Sequence, residues 1–114
     1  MTAANPGQPV RPAVFHILVA LAREDLHGLG IAHAVEEATE GDVRLGPGTL
    51  YRSLKEMAAD RLIEEVVAPP GESDPRRRFY AITSRGREVA RGEAARLARL
   101  VEVARANDVL PQIP

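Results

Sequence analysis

The sequence predicts a mainly α fold with a small β-hairpin (α+β), and three observations point to it. Apolar residues recur at intervals of three and four in four separate stretches, the period of an amphipathic helix. Two short runs rich in Val, Ile, Phe and Tyr flank a loop that holds Pro69, Pro70, Gly71 and Pro75, which reads as a hairpin. The last helical stretch runs from Thr83 to near Asn107, too long for the core beneath it.

The elements follow in order. Residues 1–11 hold Asn5-Pro6-Gly7-Gln8-Pro9 and no apolar period, so they read as a flexible N-terminal arm. Pro12 suits a first helical turn, and Val14, Ile17, Leu18 and Leu21 give a first helix over 12–23. Asp25-Leu26-His27-Gly28 breaks the chain. Ile31, Ala34, Val35 and Ala38 mark a second helix ending near Glu40-Gly41. Val43-Arg44-Leu45 reads as a minimal strand. A third helix starts near Pro47, with Leu50, Leu54, Met57 and Ala58 as its buried stripe. Leu62 to Ala68 and Arg77 to Ile82 are the hairpin strands, with Tyr80 and Ile82 on one face of the second and Phe79 and Ala81 on the other. Thr83 is a good N-cap for the last helix. This helix, with a stripe of Ala90, Ala94, Leu97, Val101 and Ala104, spans about 25 residues, roughly 37 Å. Gly86 and Gly92 weaken it locally, by up to ~1 kcal/mol each. Three helices followed by a hairpin make a winged helix-turn-helix. The expected organisation is an arm (1–11), a winged helix-turn-helix domain (12–82), a dimerisation helix (83–108) and a tail (109–114).

Composition narrows the function. The chain has 114 residues, enough for one compact domain, with 45% hydrophobic residues but only 4% aromatic ones. It has no Cys, which excludes disulfides, thiolate metal sites and Cys nucleophiles. The three His residues lack the spacing that puts two ligands on one helical face, so no metal and no cofactor is expected. His27 is expected to help start the second helix, His33 to be exposed and His16 to pack between helices. No nucleophile elbow and no phosphate-binding Gly-rich loop follows a strand, so an enzyme is not expected. No secretory leader or membrane span is visible, which makes the cytoplasm the default location. Net charge is −1, but its distribution is uneven. Glu24, Asp25, Glu36, Glu37, Glu40 and Asp42 crowd the first third, whereas Arg44, Arg52, Lys55, Arg61, Arg76, Arg77 and Arg78 crowd the middle, with Glu56, Asp60, Glu64, Glu65, Glu72 and Asp74 as the opposing acids.

On the third helix, about 100° per residue puts Gly48, Arg52, Lys55 and Ala59 opposite the buried stripe, with Thr49, Tyr51 and Glu56 flanking them. A cationic helix next to an Arg-rich hairpin suits duplex DNA. Arg52 has the planar fork that matches guanine O6 and N7. Lys55 suits a phosphate, Thr49 and Tyr51 offer hydroxyl donors, and Gly48 lets the backbone come close. Arg76, Arg77 and Arg78 would meet the DNA backbone or a minor groove. On the overhanging last helix, Ala94, Leu97, Leu100, Val101 and Ala104 are candidate dimer contacts, a second copy being the simplest cover for an apolar stripe.

Three blocks stand in order along the chain: Leu26-His27-Gly28-Leu29-Gly30-Ile31, Gly46-Pro47-Gly48-Thr49-Leu50-Tyr51, and Asp74-Pro75-Arg76-Arg77-Arg78-Phe79-Tyr80-Ala81-Ile82-Thr83-Ser84-Arg85-Gly86. Through them the chain, from Val14 to Arg105, resembles the PadR-like family of bacterial transcriptional regulators. The family pattern often has Tyr at the position of Leu29 and Pro at that of Ser84. Some relatives hold flat aromatic drugs through an interface Trp, and this chain has no Trp. The single C-terminal helix is similar to that of the family's smaller members. The resemblance implies a homodimeric, sequence-specific DNA-binding regulator, a repressor on a pseudo-palindromic operator, in some members responsive to a small-molecule effector. Two rival readings have no DNA in them: a winged-helix protein-interaction module, which the near-zero net charge favours, and a small-molecule sensor.

Overall fold

In the computed structural model, which describes residues 5–111, the chain runs α1 (Pro12–Arg23), β1 (Leu26–His27), α2 (Gly28–Ala38), α3 (Pro47–Ala59), β2 (Ile63–Val66), β3 (Phe79–Ile82) and α4 (Ser84–Ala106). Residues 1–4 of the expected arm and 112–114 of the expected tail lie outside the described residues. The architecture is a winged helix. Its core joins Ile17, Leu18 and Leu21 of α1 to Ile31 and Val35 of α2, Leu50, Leu54 and Met57 of α3, and Leu62, Ile63 and Val89. α1 lies at the centre and packs on α2, α3, α4 and β3.

The third strand is where the structure departs from the sequence expectation. Val43-Arg44-Leu45 is not a strand. The strand is Leu26–His27, antiparallel to β3, with Leu26 opposite Tyr80 and His27 opposite Phe79. β3 is therefore the centre of a sheet of order β1-β3-β2. So short a strand has no periodicity of its own and exists because β3 offers an unpaired edge. Residues 43–45 follow a turn at Gly41, whose φ of 85° suits glycine. The Val43 N–H donates to Thr39 Oγ1 at 3.0 Å and ties this segment to the end of α2.

A second difference lies inside α3. Ala58 is exposed, and Ser53 takes the inward position at 0% exposure. Leu50, Ser53, Leu54 and Met57 follow the i, i+3, i+4, i+7 rule, and a polar residue hid one member of the stripe. Ser53 Oγ has no hydrogen-bond partner among the described residues.

Thr83 caps α4 as expected, accepting the Gly86 N–H at 3.0 Å. It also donates its own N–H to Leu62 O at 3.0 Å, which fastens the helix start to the hairpin. The two helical glycines are packing positions. A Cβ at Gly86 would collide with the Leu62 carbonyl oxygen, and one at Gly92 with the backbone of Pro6 and Gly7. The N-terminal segment thus crosses α4 at Gly92. Beside the crossing, Glu93 is 3% exposed and accepts both prongs of Arg96, each at 2.8 Å. It also accepts the Val10 N–H. The Arg96 bonds, the largest cause, hold its carboxyl below the ordinary carboxylate range against the opposing effect of burial.

Past Glu93, α4 leaves the core. Leu100, Val101 and Val103 are 52%, 44% and 57% exposed. Ala94 is exposed as well, and Leu97 and Ala104 are half-buried. Among the described residues, no helix is long and apolar enough to cross a membrane.

Candidate nucleic-acid interface

The inward stripe of α3 fixes what faces out. With Leu50, Ser53, Leu54 and Met57 buried, Gly48, Thr49, Arg52 and Lys55 are all exposed. Among the described residues, Arg52 and Lys55 have no hydrogen-bond or ion-pair partner. No side chain caps the N-terminus of α3, so its leading end is open to an acceptor. The neighbouring acid Glu56 is engaged by Arg11.

Tyr51 brings this helix against α2, beside the wing formed by β2, β3 and the loop between them. Its ring lies over the start of α2, where a Cβ at Gly28 would come within 2.9 Å of Tyr51 Cε1 and Oη. Gly28 is the residue that lets the two helices approach there. Tyr51 is itself 52% exposed. A cleft of about 620 Å³ lies between them, with Tyr80, Arg76, Arg77 and Arg78 also in its lining. Burial, with the Glu65 charge second, pushes the Tyr80 phenol above its ordinary range. His27 stacks at a tilt on Phe79, ring centres 5.1 Å apart, and joins β1 to the wing.

Each wing arginine has a carboxylate neighbour. Glu72 takes Arg77 Nη1 at 3.2 and 3.3 Å and the Asp74 N–H at 3.0 Å. Asp74 Oδ1 takes the Arg76 N–H at 2.9 Å and Arg76 Nε at 3.3 Å. Arg78 Nη1 lies 3.9 Å from Glu65 Oε1 across the hairpin. Backbone donors, Asp74 N–H for Glu72 and Arg76 N–H for Asp74, are the largest cause holding both carboxyls below their ordinary range. The pairs differ in solvent access. Arg76 and Arg78 side chains are 89% and 73% exposed, whereas Arg77 is 41% exposed over a Glu72 that is only 11% exposed.

The expected residues fall into two groups. Tyr51 and Arg76, Arg77 and Arg78 share the cleft. Gly48, Thr49, Arg52 and Lys55 lie outside its lining, on exposed positions of the same helix. Gly28, Tyr80 and His27 also line the cleft, which residue spacing does not reveal: Tyr80 and His27 are set there by the pairing of β1 with β3, and Gly28 by its approach to Tyr51. The acids of α2 sit elsewhere, with Glu36 3.7 Å from Arg44 and Glu37 3.5 Å from His33. Among the described residues, no group of His, Cys, Asp or Glu is arranged to hold a metal ion.

The fold has solved counterparts. A PadR family transcription regulator from hypervirulent Clostridium difficile R20291 superposes with a TM-score of 0.70 at 23% identity, over 82% of this chain and 95% of that one. A transcriptional regulator from Clostridium thermocellum gives 0.70 at 22% identity, over 82% and 89%. Bacillus subtilis PadR, in complex with operator DNA, gives 0.62 at 20% identity, over 73% of this chain and 46% of that one. Identities this low speak for the winged-helix fold alone. An uncharacterized 37.1 kDa protein in transposon Tn4556 of Streptomyces fradiae is 39% identical over 84 residues, 74% of this chain, and the chain spans 22% of that protein's length. Residues 17–92, more than half of the sequence, match the profile of the transcriptional regulator PadR-like family. The chain belongs to the PadR-like family of transcriptional regulators.

Proposed function

We propose that this chain is a cytoplasmic, non-enzymatic regulator that binds duplex DNA sequence-specifically as a homodimer and represses transcription. One observation carries the reading: Arg52 and Lys55 stand outward and without partners on α3, and the wing arginines border a cleft that the same helix helps to line. α3 enters the major groove, where Arg52 reads a base edge and Lys55 neutralises a phosphate. Thr49 and Tyr51 donate to phosphates, and Gly48 keeps that end of the helix thin. The wing that carries Arg76, Arg77 and Arg78 serves the backbone or an adjacent minor groove. The overhang of α4 supports a dimer through Ala94, Leu97, Leu100, Val101 and Ala104, with half-sites about 34 Å apart on a pseudo-palindrome.

Selection of duplexes from a random pool, followed by fluorescence anisotropy on the winners, tests this. The wild type should enrich a two-fold-related sequence, and its affinity should fall steeply with salt. Arg52→Ala should cost about 1–3 kcal/mol and relax preference at one position of each half-site. A pool with no enriched sequence and a flat salt response would refute the reading in favour of a protein-interaction module.

One observation favours an added sensor role. A groove of about 530 Å³ lies between α1 and α2, lined in part by His16, Arg23, Leu26, His33 and Val35. Its size suits a small molecule. A ligand specific to the folded chain would raise the thermal midpoint in a compound screen.

A further inference from the structure

The loop between Val66 and Phe79 has to place cations, yet little in it holds it in shape. The β2–β3 ladder ends at the Val66–Phe79 pair. Val67 is 94% exposed, and Pro69, Pro70 and Gly71 are exposed too. Gly71 has a φ of 93°. With Val67, Pro69 and Pro70 in solvent, polar contacts order this loop. Two backbone bonds lie within it, Glu72 N–H to Pro69 O and Arg77 N–H to Asp74 O, both at 3.2 Å. The rest are made by carboxylates: Glu72 to the Asp74 N–H and the Arg77 guanidinium, and Asp74 to the Arg76 N–H and Nε.

We infer that Glu72 is a positioning residue for DNA binding: it clamps Arg77 inside the wing, so that Arg76 and Arg78 are the cations the wing delivers to phosphates. This rests on the DNA-binding reading above and divides labour among three arginines that the sequence presents as equals. Burial separates them. Glu72 at 11% exposure is the least accessible carboxylate of the wing pairs, and it faces the least accessible of the three guanidiniums. Arg77 Nη1 is shared between the two Glu72 oxygens, at 3.2 and 3.3 Å, and Glu72 is itself held by the Asp74 N–H. Arg76 and Arg78 remain mostly in solvent, and at 3.9 Å the Glu65 contact of Arg78 is loose enough to exchange for a phosphate.

The inference has a sign that simple electrostatics would reverse. Removing an acid near DNA should tighten binding if charge alone matters. Removing a positioning acid should weaken it, because only the fraction of molecules with an ordered wing then binds well. The test measures anisotropy on a random-sequence duplex between ~50 and ~200 mM salt, with thermal midpoints to confirm folding. Arg76→Ala and Arg78→Ala should each lower the slope of log K against log salt by about 0.9, the loss of one phosphate contact. Arg77→Ala and Glu72→Ala should leave the slope unchanged and weaken affinity about fivefold, as expected if the ordered fraction falls to about one fifth. Glu72→Gln keeps an acceptor for the Asp74 N–H and should fall between Glu72→Ala and the wild type. Equal or tighter binding by Glu72→Ala, or a slope loss in Arg77→Ala equal to that in Arg76→Ala, overturns the inference and leaves DNA binding intact. An unchanged slope in both Arg76→Ala and Arg78→Ala overturns this inference alone, whereas a wild type that shows no salt-dependent binding to the duplex overturns the DNA reading, and this inference with it.

Discussion

Ser53→Ala should make the protein more stable without touching its surface. The Ser53 side chain is at 0% exposure, and its hydroxyl is unpartnered. Leaving a buried hydroxyl unsatisfied costs about 1–3 kcal/mol, and deleting it removes that cost. Ala also exceeds Ser in helix propensity by up to about 0.7 kcal/mol. The hydroxyl oxygen is small, so its loss opens little space. A net gain of about 1.5 kcal/mol is expected. At about 4 °C per kcal/mol for a domain of this size, the thermal midpoint should rise by roughly 6 °C. Calorimetry or circular dichroism at neutral pH reads this directly. Ser53→Val is the control: it removes the same hydroxyl but adds volume to a full core, which costs about 1–3 kcal/mol. DNA affinity should not change in Ser53→Ala, since the residue faces away from Arg52 and Lys55. A lower midpoint for Ser53→Ala would refute the reasoning and show that the hydroxyl bonds the Thr49 carbonyl one turn back.

Other outcomes follow from the same structure. Gly86→Ala should destabilise strongly, by more than about 3 kcal/mol, because its methyl would strike the Leu62 carbonyl; soluble yield and denaturant midpoint report it. Leu100→Asp with Val101→Asp should convert a dimer to monomers in sedimentation equilibrium at an unchanged fold, since both side chains already face solvent in one chain. The Glu93 carboxyl, held low chiefly by Arg96, contributes stability that is complete above the ordinary carboxylate range and lost as pH falls through its depressed value. The acid limb of a stability–pH curve should therefore be shallower in Glu93→Gln, and an unchanged limb would count against a role for that pair.

Local chemistry made part of the molecule legible from residues alone. Pro12 and the leucine spacing bounded α1, and Thr83 announced the start of α4, because a ring-fixed φ and a capping hydroxyl act within a turn of themselves. The outward placement of Arg52 and Lys55 followed from periodicity. What escaped depends on distant partners. Leu26–His27 is a strand only because Tyr80 and Phe79 lie beside it. Gly86 and Gly92 look like weak points in a helix until Leu62 and Gly7 are seen against them. Ser53 is polar, so the pattern passed it over. Glu72 and Asp74 counted as opposing charges in the sequence, with no sign that one would grip Arg77 and the other Arg76.

Only Thr83 separates β3 from α4, and it is fastened twice to the segment that leads into β2: its hydroxyl reaches Arg61 O at 2.6 Å and its N–H reaches Leu62 O. The hairpin and the last helix therefore turn as a shaft with a rudder at one end. In an assembly of two copies, a small change in the angle between the two shafts would swing both rudders at once. Spacing on a double helix would then be tuned from the far end of the molecule, with no loop in between to absorb the motion.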